Sequence, residues 1–436
     1  MFQWSEKKTA SLKLKMCQNI RRKYITSYNV FCMFNMKHIR NIMLMFLSAT
    51  WLILMYIVNI FLFSKGNNLY LIKYLGVDTF SDASLIWNER QKLTVFKRID
   101  TTPELTGKLP FLSNYKCPCW YEAAPESGRK LRCLPYFYVI GVPKCGTTDL
   151  CNRIMMHPLI SDKVMKGNHW FTEYRYGKGR FAALSNYLQL FDYAVETDIK
   201  GTQTQNGYHN AIFGDCTPSL SWNSRRLFVR ARKGNQTGEP PSNADIIKHL
   251  NPHSKSIAIL RNPTERLYSE YLFFNEEGTS NPEEFHERVL NSIRNMTMCL
   301  QNNTLRYCVY YEKKGRASYR MAEKVRLQVG IYHVFLEDFL KAFGREQMLV
   351  IKLENYSNKI NETMQKVFSF LGVGSVRDPV LFKNITSIGR ANVRSGGDTL
   401  VGDMLPETRQ LLSDFYKPYN ERLKALLGKE FDYNQN

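Results

Sequence analysis

Residues 141–148 read GVPKCGTT and follow directly on the aromatic and β-branched run PYFYVIG (135–141). Two glycines bracketing a short loop let the backbone approach an anion closely, and the N–H groups opening the next helix point at it. Thr147 and Thr148 add hydroxyl donors at that first turn. A nucleotide triphosphatase loop reads GxxxxGK[ST], with its lysine directly after the second glycine. Here Thr147 takes that place and Lys144 projects from inside the loop, which disfavours an ATP-dependent kinase. The arrangement suits one phosphate at the helix start, with an ammonium beside whatever that phosphate carries. Such a charge stabilises a departing phosphate. The plain alternative is an ordinary βα turn. A second stretch, LRNPTERLYSEY (260–271), puts Arg261 just past a strand end and Ser269 on the helix that follows. Strand ends of parallel sheets face the ligand crevice, so this pair can hold a further phosphate of the same nucleotide.

A parallel sheet is what such groups require, and the surrounding sequence predicts one. PYFYVIG (135–141), SKSIAIL (254–260) and EQMLVIKL (346–353) are short apolar runs of strand type. They alternate with helical patterns at TTDLCNRIMMH (147–157), TERLYSEYLFF (264–274), YHVFLEDFLKAF (332–343) and NETMQKVFSFLG (361–372), the last with Gly372 as its stop. Strands alternating with helices indicate an α/β fold with a central parallel sheet flanked by helices on both faces. His249 and His253 stand four residues apart, but Pro252 breaks a regular helix between them, and no metal site is expected.

The chain has 436 residues, 60 Lys/Arg against 39 Asp/Glu, and a net charge of +21. Nine of the basic residues and one acid lie in residues 1–41, and the remainder is basic too. A surface of that kind suits a polyanion: nucleic acid, anionic lipid or an acidic polysaccharide. Residues 42–63, IMLMFLSATWLILMYIVNIFLF, carry no charge and have the length of a membrane-crossing helix. Basic residues before the span predict a cytosolic N-terminus. The expected organisation is a tail (1–41), a transmembrane helix (42–63), a stem (64–133) and a catalytic domain (134–436). Sequons at Asn235, Asn295, Asn302, Asn355, Asn361 and Asn384 all follow the span, as do eight of the ten cysteines. Both fit an oxidising, glycosylating lumen. Cys299 and Cys308 bracket a short loop, and either Cys117 or Cys119 can reach Cys133.

Taken together, the PKCGTT loop and the RNP…S segment resemble the paired motifs of sulfotransferases that use 3′-phosphoadenosine 5′-phosphosulfate (PAPS). The stretches RCLPYFYVIGVPKCGTTDL (132–150), RLYSEYLFF (266–274), VRLQVGIYHVFLEDFL (325–340) and KLENYSNKINETMQKVFSFL (352–371) are similar to the carbohydrate sulfotransferases that place a 6-O-sulfate on GalNAc 4-sulfate. The resemblance implies a P-loop-like sulfotransferase fold. It gives Lys144, Cys145, Gly146, Thr147 and Thr148 to the 5′-phosphosulfate, and Arg261 and Ser269 to the 3′-phosphate. It further implies a type II Golgi membrane protein whose lumenal domain acts on chondroitin or dermatan sulfate, with no nucleic acid as partner. Lys144 is expected to stabilise the leaving phosphate. Relatives usually carry Lys-Glu-x-His after the first helix, with the Glu as base. Here the segment reads KGNHWF (166–171), and Gly167 stands in the Glu position. Three readings follow: His169 accepts the proton, Asp215 in FGDCTPSL does, or nucleotide binding persists without catalysis.

Overall fold

Strand β3 (Phe137–Gly141) is buried at all five positions, as a strand covered on both faces must be. It belongs to a computed structural model that describes residues 109–124, 128–176, 182–228, 240–274, 281–310, 325–391 and 401–435. The expected tail, the span at 42–63, most of the stem, Asn235 and residues 392–400 lie outside these. No helix among the described residues is long and apolar enough to cross a membrane.

β3 pairs in parallel with β4 (Gly214–Asp215) on one side and β5 (Lys255–Leu260) on the other, and β5 pairs in parallel with β6 (Met348–Lys352). The order is β4-β3-β5-β6. From β3 the chain crosses first to one neighbour and later to the other. That reversal opens a crevice at the carboxyl ends of β3 and β5. At Gly214 a Cβ would lie 2.3 Å from the Phe137 ring, so only glycine lets β4 sit this close.

The helices answer to local signals. α1 (Thr147–Met155) starts at Gly146, which takes a left-handed φ of 85°. Beyond it, α2 (Asn243–Leu250) ends before Pro252 and carries a Ser242–Asp245 capping box. Next, α3 (Pro263–Phe273) has proline at its first turn, and the Asn262 side chain accepts from the N–H of Thr264. Then come α4 (Pro282–Leu300), α5 (Tyr332–Phe343), α6 (Ile360–Leu371) and α7 (Pro406–Leu427). Gly372 closes α6 in the left-handed conformation, as the sequence predicts.

One core surrounds the sheet, and a second lies among Leu267, Tyr271, Phe285, Leu327, Ile331 and Tyr416, joining α3, α4 and α7. Part of the stretch assigned to the stem carries regular structure. β1 (Cys119–Ala124) and β2 (Gly128–Cys133) form an antiparallel hairpin, and Trp120 and Leu131 pack into the sheet's core. A disulfide joins Cys119 to Cys133 across it, leaving Cys117 as a buried thiol. Cys299 bonds Cys308, and Cys151 bonds Cys216. The last of these ties the helix after β3 to the loop after β4, so two walls of the crevice are covalently linked.

Candidate active site

The loop leaving β3 is held on both sides. Val142 donates to the Ile259 carbonyl of β5 at 2.9 Å, and Ser221 donates back to Ile140 at 2.9 Å. At its apex Lys144 adopts a left-handed φ of 69°, a region that costs a side-chain-bearing residue roughly 1–2 kcal/mol. Its ammonium lies 3.6 Å from the centre of the Phe273 ring, at the end of α3. No side chain caps α1, which leaves its opening N–H groups to the crevice. A Cβ at Gly146 would come within 2.9 Å of Leu353 Cδ1, so the tight backbone here is also a packing requirement.

Cys145 makes a different contribution from its neighbours. Its thiol is fully buried, burial pushes its pKa up to about 12, and its Sγ faces the Tyr332 hydroxyl at 3.8 Å. The side chain is a neutral packing group, and only its backbone can serve an anion. Tyr332 in turn donates to the Arg261 carbonyl at 2.8 Å. One phenol therefore links the GVPKCGTT loop to the end of β5. Arg261 is half-buried, with its guanidinium 3.9 Å from Glu265, which also pairs with Arg409 of α7. Ser269 lies half-buried further along α3, the helix whose Phe273 meets Lys144. The seven residues assigned to the nucleotide thus line adjacent strand ends and the helix running from one of them.

The third wall is the segment after α1. Lys166 donates to Thr148 Oγ1 at 2.8 Å, and burial lowers its pKa to about 8. Gly167 (φ 74°) and His169 (φ 51°) flank Asn168, whose Oδ1 accepts from the N–H of Trp170 at 3.0 Å. His169 Nδ1 lies 2.9 Å from Ser219 Oγ, in the loop leaving β4. Its pKa is lowered, chiefly by burial and slightly by Lys166, against opposing pulls from Asp215 and Glu173. The imidazole is neutral at neutral pH and able to take a proton.

Asp215 is placed otherwise. It is fully enclosed, with one oxygen accepting from Thr217 at 2.6 Å and the other from Tyr187 at 2.8 Å. Burial raises its pKa. Both oxygens are engaged within the fold, where they brace the end of β4. Among the described residues, no group of three His, Cys, Asp or Glu side chains is placed to hold a metal ion. Sequence reasoning missed Tyr332, Phe273 and Ser219, because each meets its partner across 50 to 187 residues of chain or through a surface ring contact.

Comparison with known proteins bears on this geometry. A sulfotransferase-domain family profile matches residues 134–387. Human carbohydrate sulfotransferase 15 is 34% identical over 374 residues, covering 73% of this chain and 65% of its own length. The rat protein of that name is 36% identical over 316 residues, covering 69% of this chain and 54% of its own. The chain therefore spans between about half and two thirds of these relatives. Among solved structures, a sulfotransferase from Alicyclobacillus acidocaldarius overlays with a TM-score of 0.43 and 21% identity, covering 68% of this chain and 96% of that one.

Proposed function

Because the chain belongs to the sulfotransferase family, we propose that it moves a sulfuryl group from PAPS to the 6-hydroxyl of GalNAc 4-sulfate in chondroitin or dermatan sulfate. One observation carries the donor half. The uncapped start of α1 and the Arg261–Ser269 segment stand at the adjacent ends of β3 and β5, with Lys144 reaching across to α3. Two anion sites so spaced suit a nucleotide bearing a phosphate at each end.

PAPS, when bound, supplies the sulfuryl group and leaves as adenosine 3′,5′-bisphosphate. Loop N–H groups with Thr147 and Thr148 hold the 5′ end, and Arg261 and Ser269 hold the 3′-phosphate. Lys144 balances negative charge building on the leaving phosphate oxygen. His169 takes the proton of the sugar hydroxyl. Lys166 adds positive charge beside Thr148 while protonated. The basic surface suits a polysulfated acceptor.

The cellular setting follows the same reading: a type II Golgi membrane protein anchored by residues 42–63, with a lumenal catalytic domain that takes in the hairpin Cys119–Cys133 as well as residues 134–436. Three disulfides suit an oxidising compartment. Five sequon asparagines, Asn295, Asn302, Asn355, Asn361 and Asn384, are all exposed and open to glycosylation. Incubating the full-length chain with sulfur-labelled PAPS and chondroitin 4-sulfate tests the activity. Label at the 6-position of GalNAc 4-sulfate units is the expected result. Donor binding without transfer would overturn the enzymatic reading.

A further inference from the structure

His169 stands in a small closed set of hydrogen bonds. Its Nδ1 is 2.9 Å from Ser219 Oγ, Ser219 Oγ is 3.2 Å from Thr172 Oγ1, and Thr172 Oγ1 is 3.4 Å from the His169 carbonyl. Thr172 and Ser219 are buried, so solvent does not compete for their protons. If Nδ1 carries the imidazole proton, every donor finds an acceptor: Nδ1–H to Ser219, Ser219 O–H to Thr172, and Thr172 O–H to the His169 carbonyl. In the reverse sense Ser219 donates to Nδ1 and the ring proton sits on Nε2, where only solvent beside Gly167 accepts it, whereas the first sense gives every proton a protein acceptor. Nε2 points the other way, toward Gly167. A Cβ at residue 167 would lie 3.5 Å from it, so a longer side chain there would compete for the space Nε2 faces. The missing side chain and the oriented ring are two sides of one arrangement.

We propose that Ser219 and Thr172 are positioning residues that hold His169 in the Nδ1–H tautomer and leave the Nε2 lone pair facing the space beside Gly167, where the acceptor hydroxyl is received. This rests on the sulfuryl-transfer reading above and assigns how its proton acceptor is set. As the sugar oxygen bonds to sulfur, its proton passes to Nε2 and the ring becomes imidazolium. The bond from sulfur to the bridging phosphate oxygen breaks, and adenosine 3′,5′-bisphosphate leaves with that electron pair. The charged groups facing the ring are Asp215 and Glu173, which favour the imidazolium, and Lys166, which opposes it.

The ¹⁵N spectrum of the histidine-labelled full-length chain at neutral pH reads the tautomer directly, with His169 assigned from its absence in His169→Gln. Wild type is expected to show Nδ1 protonated and Nε2 bare. Thr172→Val removes one hydroxyl at nearly constant volume, so the Ser219 proton turns to Nδ1 and the ring proton moves to Nε2. Turnover should then fall at least about tenfold with the PAPS KM unchanged, and Thr172→Ser should restore both signals. Ser219→Ala is the second variant, expected to leave a mixture of tautomers. A protonated Nε2 in wild type, or an unchanged tautomer in both hydroxyl-deleting variants, overturns the inference. If the tautomer behaves as expected but wild type transfers no sulfate, the sulfuryl-transfer reading fails and the positioning role stands.

Discussion

Lys144 and His169 both sit at left-handed backbone positions, with φ of 69° and 51°, yet the segments that hold them are built differently. The lysine loop is made of backbone: a buried strand, two glycines, a helix start and main-chain hydrogen bonds to β5 and to Ser221. The histidine segment is held largely by side chains, with Lys166 reaching Thr148, Asn168 closing its own turn, and Ser219 meeting the imidazole from another strand's loop. A backbone-built site keeps its shape when its reactive side chain is removed. One built from side chains loses position as well as chemistry, because each contact fixes another.

The sharpest way to break this contrast is at the lysine. Lys144→Ala should cut turnover by about 10²–10³-fold while circular dichroism and thermal unfolding stay as in wild type, since the half-buried side chain's aromatic contact is with the exposed ring of Phe273. Loss of folding instead would show the loop depends on that side chain. His169→Ala should lower turnover by roughly 10²-fold, with nucleotide affinity unchanged by calorimetry. Wild-type turnover would assign the proton to another group. The smallest effect belongs to Lys166. Burial lowers its pKa to about 8, so it is charged below that pH and an anion bound beside it favours the charged form. Affinity for adenosine 3′,5′-bisphosphate should be level between about pH 7 and 8, where its phosphates are ionised, and fall above pH 8, by at most about tenfold per pH unit. Lys166→Met should weaken binding at neutral pH and abolish that particular slope.

The same contrast governs what the sequence reveals. β3, β5, β6 and the helix at 332–343 are legible because their signals are local: apolar runs bounded by turns, and one amphipathic period ending at a glycine. The GVPKCGTT loop is legible for the same reason, being a single stretch of eight residues. The hairpin Cys119–Cys133 reads as stem because the stretch is of mixed composition with turn-formers, and GRKLRC, with Arg129 and Lys130 at its outer end and a buried inner end, shows no clean alternation. His169 was nameable as a proton acceptor, but its partner Ser219 lies 50 residues on, and no local pattern joins them. Asp215 is the alternative acceptor in sequence. Only the folded chain shows both its oxygens taken by Thr217 and Tyr187. Cys145 reads as part of an anion loop, whereas the fold turns its thiol inward toward Tyr332, 187 residues away.

Everything assigned to the donor depends on two strand ends gripping opposite phosphates of one nucleotide. Equilibrium binding of adenosine 3′,5′-bisphosphate and of adenosine 5′-monophosphate to wild type and Arg261→Ala measures this directly, because the second ligand lacks the 3′-phosphate. The expected result is that Arg261→Ala weakens the bisphosphate by about 10- to 100-fold and leaves the monophosphate unchanged. Equal loss for both ligands, or no loss for either, would contradict the assignment of Arg261 to a second anion site.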